Sequence, residues 1–113
     1  MVQNRRKLID LFIGNISNSI IHEILEKAAD NEELSNKYNK ELTTSFSIAK
    51  KYREKINPIN TSLPEKDIEH IKTKVTNKVG AELSLRISKG YENIELDLIG
   101  ELVDGILKDM NTI

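Results

Sequence analysis

The sequence contains no cysteine and no tryptophan, and aromatic residues make up only 4% of it. Without cysteine, the chain can hold no disulfide framework, no thiolate metal site and no cysteine nucleophile. Because aromatic residues are scarce, a core has to be built mainly from aliphatic side chains, which suits layers between helices. The composition is 38% hydrophobic and 31% charged with two prolines, so we expect a packed fold rather than a disordered chain.

Long apolar runs are also missing. The longest uncharged run near the N-terminus, Leu11 to Ile21, contains glycine, asparagine and serine and is shorter than the ~20 apolar residues of a membrane helix. Asp10, Asn15 and Asn18 also interrupt the apolar stretch that a signal peptide requires. We therefore expect no membrane span, a cytoplasmic location, and a single domain over residues 1–113.

Apolar residues recur at intervals of three and four along most of the chain, which predicts amphipathic helices. A first helix is predicted over residues 4–29. Its apolar residues are Ile9, Phe12, Ile13, Ile16, Ile20, Ile24 and Ala28. Gly14 and Asn15 allow a break in its middle, but the apolar phase continues across them and favours one helix. The second pattern runs from Leu34 to Ile56, with acids at its start and bases at its end, as the helix dipole favours.

The third helix has the clearest start signal in the chain. In Ser62-Leu63-Pro64-Glu65, a serine at the N-cap precedes a proline in the first turn and a glutamate, so a helix is predicted over residues 64–89. Gly90 is the expected stop. A tight turn at Gly90-Tyr91 then leads to a fourth helix with Asn93 as its candidate cap. The apolar residues of these two helices are Ile68, Ile71, Val75, Val79, Leu83 and Ile87, then Leu98, Ile99, Leu102, Val103, Ile106 and Met110.

These four patterns together predict the fold class. No segment shows the alternation of a strand, and short connections between long helices favour antiparallel neighbours. We expect an all-α fold, an antiparallel up-down bundle of about four helices with about 18 to 26 residues each.

Residue patterns that carry chemistry are sparse. His22 precedes Glu26 by four residues and His70 follows Asp67 by three, but the Glu-x-x-His motif of di-metal bundles does not occur. Nucleophile elbows and glycine-rich phosphate loops are absent as well. We interpret both histidines as solvated residues on helix flanks, and we expect no enzymatic activity, no cofactor and no small-molecule substrate.

The last part of the chain is acidic. Residues 91–113 hold six acids against Lys108 alone, which gives a charge of −5, while the whole chain carries −1. The candidate partner-binding residues are Glu95, Glu101, Asp104 and Asp109. Two interpretations stay open: these acids contact basic positions of the second and third helices, or they contact a second copy or another protein.

Basic residues form the alternative candidate surface. Candidate nucleic-acid contacts are Arg5, Arg6, Lys7, Lys50, Lys51 and Arg53, and further bases in the third helix could extend the surface. A pI of about 6.1 and only four arginines argue against nucleic-acid binding. Basic residues at the end of the second helix also match its dipole without any ligand.

Additional apolar residues favour assembly. Leu8, Leu11, Ile21 and Leu25 widen the apolar arc of the first helix, which fits either a central helix of the bundle or a dimer interface. Helical glycines such as Gly14 indicate either close helix crossings or a local break. The sequence thus predicts a non-enzymatic helical interaction or assembly module, expected to form homo-oligomers or to bind another protein, with a nucleic-acid-binding regulator as the alternative.

Overall fold

The computed structural model describes residues 2–56 and 61–110, and in the first helix it describes side chains from Arg5 onwards. Four helices make up the fold: α1 (Val2–Ala28), α2 (Glu32–Ile56), α3 (Glu65–Ser88) and α4 (Leu98–Asp109). No strand occurs within these described residues. They form a bundle with extents of 44 × 23 × 22 Å. The prediction of an all-α, four-helix bundle is confirmed.

Contacts between side chains show that the helices run alternately up and down. Ser19 of α1 donates to the Leu42 carbonyl of α2 and Glu26 accepts from Asn39, so residue numbers rise in α1 as they fall in α2. In α1 and α3 residue numbers rise together, since Arg5 lies beside Asp67 and His22 lines a cleft with Arg86. Asp104 of α4 pairs with Lys72, far back along α3 from its end at Ser88.

The first helix lies at the centre of the bundle. It packs against α2, α3 and α4, whereas within the described residues the backbone of α2 comes close to neither α3 nor α4. Its buried residues cover a wide arc that includes Ile21 and Leu25. This placement accounts for the broad apolar face of α1, and of the two interpretations from sequence it favours the central helix. Ile87, which was predicted to be buried, is instead 41% exposed.

Two predictions about where helices continue or end are confirmed. The predicted single first helix is confirmed, because α1 continues through Gly14. Gly90 adopts a φ of +100°, and the amides of Gly90 and Tyr91 donate to the carbonyls of Ile87 and Arg86. These two bonds form a Schellman motif, in which a glycine at this position is favoured because it has no Cβ. The predicted glycine stop is therefore confirmed.

Two predicted caps are wrong. The N-cap of α3 is Pro64 rather than the predicted Ser62, and the Pro64 carbonyl accepts the amides of Asp67 and Ile68. Asn93 does not cap α4 either: it lies within the connection with a φ of +65°, and Asp97 holds the N-cap position. The longer connection leaves α4 with 12 residues, fewer than predicted. The predicted break at Asn57 to Asn60 lies outside the described residues.

The helical glycines do not mark close crossings within the bundle. A Cβ placed on Gly14, Gly80, Gly100 or Gly105 would meet no atom within 4 Å. Neither of the two structural interpretations from sequence, a tight crossing or a break at Gly14, is found. Each glycine lowers the intrinsic stability of its helix by about 1 kcal/mol relative to alanine, with no packing in the single chain to offset that cost.

Over Arg5–Ala28, α1 is long and apolar enough to cross a membrane by length and composition alone. The expectation drawn from the run Leu11 to Ile21 was therefore too strict. More than half of the most apolar window of α1 is buried inside the bundle. Core helices of soluble proteins and N-terminal signal sequences both pass this test, so it is weak evidence of a membrane span.

Arg53 is a buried charged residue that ties α2 to the connection before α3. Its side chain is fully buried, and its guanidinium donates to the Thr61 carbonyl over 2.6 Å. Burial lowers the pKa of this guanidinium, because removal from water disfavours the charged form. The side chain therefore serves to anchor the chain where it turns from α2 towards α3.

We predict that Arg53→Ala lowers the free energy of unfolding by about 2–4 kcal/mol, because it removes a charge-assisted hydrogen bond and leaves a cavity. Urea unfolding followed by circular dichroism measures the change. Lys51→Ala, on an exposed position of the same helix, is the matched control and should change stability by less than about 0.5 kcal/mol. Equal stability of the two variants would contradict the anchoring role.

Candidate interaction site

A groove opens between α2 and α4, whose backbones do not approach each other closely, and α1 forms its floor. Its volume is about 280 Å³. The walls are apolar and half-buried: Leu42 and Phe46 on α2 face Leu102 and Ile106 on α4. The floor includes the hydroxyl-bearing Ser19. We call this feature the acidic groove, because of the charges on its rim.

The rim of the acidic groove carries charge of one sign. Glu23, Glu101 and Asp109 line it, and none of the described residues that line it is basic. Gly105 lies between Glu101 and Asp109 on the same wall, and a Cβ added there would meet open space. The wall of α4 is therefore low at its middle and negative at both ends, which leaves room for a side chain from outside.

The structure separates the four acids that the sequence grouped together. Glu101 and Asp109 lie on the groove rim. Asp104 faces the other way, and its carboxylate lies 3.4 Å from the Lys72 ammonium of α3. Glu95 is exposed in the connection before α4. One of the four thus makes the internal contact that the sequence left open, while two remain free to serve an external partner.

The six candidate nucleic-acid residues are also divided. Arg53 is buried, so the prediction that it lies on a binding surface was wrong. Its position had a signal in the sequence, since Arg53 follows Ala49 by four residues and precedes Ile56 by three, and all three are buried. Arg5 is 2.6 Å from the Asp67 carboxylate. The remaining four, Arg6, Lys7, Lys50 and Lys51, are exposed.

Neither histidine forms the pair that the sequence suggested. His22 is half-buried, and its Nε2 lies 2.9 Å from the Glu41 carboxylate of α2 rather than contacting Glu26. Its ring stacks on Tyr38 with centroids 6.0 Å apart. His70 is exposed. The expectation of a solvated flank position was therefore wrong for His22, which lies between α1 and α2. Across residues 2–56 and 61–110, no group of three or more histidines and acids is arranged to hold a metal ion.

A basic strip lies along an exposed flank of α3. The sequence grouped its lysines with other bases as a possible basic surface, but did not join them to the exposed Leu85. Its residues, all exposed, are Lys74, Lys78, Ala81, Leu85 and Lys89. Their spacing of four, three, four and four residues places them on one side of the helix. Leu85 is 49% exposed, which is high for a large apolar side chain. The signal available in the sequence was this spacing of basic and apolar residues away from the buried stripe.

The acids near the basic strip leave most of its charge uncompensated. Glu82 is paired with Arg86, over a distance of 3.1 Å. Asp10 of α1 lines the same cleft as Lys74 and Lys78. The strip therefore presents a net positive flank with an apolar residue, Leu85, between Lys78 and Lys89.

Comparisons with known proteins give no further guide to function. No protein-family model matches the chain, and no curated protein or solved structure matches it either.

The environment of Tyr38 predicts a change in stability at high pH. Burial, and next the nearby Tyr91, raise the pKa of the Tyr38 hydroxyl above its ordinary value of 10.0. The unfolded chain then releases this proton at a lower pH than the folded chain does, so the contribution to stability is complete below pH 10 and is lost as the pH rises further. The slope is at most about 1.4 kcal/mol per pH unit.

We predict that Tyr38→Phe removes part of this alkaline loss. The measurement is the free energy of unfolding in urea at neutral pH and above pH 10, for the parent chain and the variant. Tyr91→Phe, at an exposed position, is the control and should retain most of the parent slope. Parallel profiles for the parent and Tyr38→Phe would contradict the burial of this hydroxyl.

Proposed function

We propose that this chain is a protein–protein interaction module that associates with further copies of itself and has no enzymatic activity of its own. The observation that carries this proposal is the acidic groove. Its four apolar wall residues are only half-buried, and no segment within the described residues fills the space between them. Apolar clefts rimmed by charge are typical of surfaces that bind amphipathic helices.

Exposed apolar residues elsewhere support self-association in particular. Ile48, Leu85, Ile87 and Leu96 are at least 37% exposed. Leu85 lies beside exposed lysines, so the same chain carries both an acidic cleft and an apolar-basic flank. The open space at the helical glycines adds to this support, because glycine at a helix surface lets another backbone approach closely.

Gly105→Gln tests the groove without disturbing the core. Glutamine is a better helix former than glycine by several tenths of a kcal/mol, so we expect the variant to be at least as stable as the parent in thermal unfolding. Its side chain would occupy the groove, and we expect self-association to weaken about tenfold, the effect of losing one good interface contact. Sedimentation velocity over a wide concentration range measures both parent and variant.

Gly100→Gln is the matched control for this experiment. Gly100 is exposed on the same helix, has open space around it, and does not line the groove. This variant should gain similar stability and associate like the parent. A parent chain that stays monomeric at every concentration would refute self-association. Equal association of both glutamine variants would show that the groove is not part of the interface.

One observation favours a second candidate, nucleic-acid binding. Since α1 and α2 are antiparallel, Arg6 and Lys7 lie at the same end of the bundle as Lys50 and Lys51, and all four are exposed. Phosphate contacts from such a cluster depend strongly on salt. If this function holds, changing Lys50 and Lys51 to alanine should weaken binding to a mixed-sequence duplex in a low-salt mobility-shift assay. No shift with the parent chain would exclude it.

A further inference from the structure

We infer that the basic strip of one copy docks into the acidic groove of the next, so that copies join head to tail. This inference rests on the proposed self-association and specifies the two surfaces that meet. Both belong to the described part of the chain, and they lie on different helices: the groove between α2 and α4, the strip on α3. One copy can therefore offer both surfaces at once.

Charge complementarity supports this pairing. Glu23, Glu101 and Asp109 give the groove rim three negative charges and no positive one. Lys78 and Lys89 flank the strip's exposed Leu85. Opposite potentials on two surfaces steer them together and disfavour pairing of either surface with itself. Groove-to-groove and strip-to-strip contacts would each bring like charges together.

The dimensions of the two surfaces also agree. Glu101 and Asp109 are eight residues apart on α4, which corresponds to about 12 Å along the helix. Lys78 and Lys89 on the strip are eleven residues apart, which corresponds to about 16 Å, and their long flexible side chains cover the difference.

Apolar contact completes the match. With each lysine over one acid, Leu85 lies within about 2 Å, along the helix, of the gap at Gly105, where a Cβ would meet nothing within 4 Å. The half-buried Phe46 and Ile106 form the walls that this leucine would contact. A single apolar anchor surrounded by opposite charges is a common arrangement at the centre of protein interfaces.

This geometry predicts the form of the assembly. A contact between two different surfaces is heterologous, so it leaves one free groove and one free strip after each addition, and it produces rings or open chains rather than only a symmetric dimer. We therefore expect sedimentation velocity to show a series of species that grows with concentration and shrinks with added salt, since salt screens the charged rim.

Reciprocal charge reversal tests the pairing. The groove variant carries Glu101→Lys with Asp109→Lys, and the strip variant carries Lys78→Glu with Lys89→Glu. Alone, each presents a groove and a strip of the same sign, so we expect each to lose most of the association of the parent, by at least about tenfold. Mixed in equal amounts, every contact is again between opposite charges, and we expect assembly to return, with the two variants in a 1:1 ratio.

Controls separate the failure of this inference from failure of the proposed function. Lys50→Glu with Lys51→Glu makes the same charge change as the strip variant on exposed positions of α2 and should associate like the parent. Thermal unfolding of each variant alone checks its fold. If a reversal variant does not fold, Leu85→Gln, at an exposed position, should still weaken association.

Three outcomes are decisive. Assembly of the parent with no effect of the reversals or of Leu85→Gln overturns the pairing and leaves self-association standing through another surface. A single symmetric dimer that the charge reversals leave unchanged also overturns it. A monomeric parent overturns both the pairing and the proposed self-association.

Discussion

The bundle depends on the burial of one helix, α1, against the other three. Its buried apolar residues are six isoleucines, Phe12 and Leu25, and each such side chain contributes about 1.5–3 kcal/mol relative to an exposed position. Because the arc is wide, one helix supplies an apolar surface to three neighbours. The other helices need fewer aliphatic residues of their own, which explains how a chain with 31% charged residues still forms a packed core.

A central helix also determines where the surface is incomplete. Helices that all pack on α1 need not pack closely on one another, and within the described residues the backbone of α2 stays apart from those of α3 and α4. The acidic groove is the gap that this arrangement leaves between α2 and α4. Its apolar walls are the outer edges of the core, and its charge comes from acids that have no basic neighbour on the rim. The same arrangement thus produces both the fold and the candidate interaction surface.

The sequence predicted the fold well because helical phase is a local property. The apolar pattern of α1 continues through Gly14, and so does the helix. The end of α3 depends on Gly90 and the helical turn before it. The N-cap position of α3 and the length of α4 were predicted wrongly. The preference of Ser62 and Asn93 for cap positions is local, whereas the geometry of the connections determines where each helix begins.

The candidate site was predicted only in part. Sequence grouped Glu101, Asp104 and Asp109 by their charge, but which of them faces a groove and which faces Lys72 depends on the rotation of α4 against its neighbours. The half-exposure of Leu42 and Phe46 depends on the separation of the α2 and α4 backbones, which no local pattern encodes. The burial of Arg53 could have been predicted, since Arg53 lies on the same face of α2 as Ala49 and Ile56.

The short fourth helix links local opening of the bundle to its assembly. With 12 residues, two of them glycines, and close packing within the described residues on α1 and α3 alone, α4 is the helix least costly to detach by local opening. It is also one wall of the acidic groove, so the groove exists only while α4 is docked. Whatever occupies the groove binds the docked form alone and draws the equilibrium towards it. Detachment of this helix and dissociation of the assembly are therefore linked equilibria.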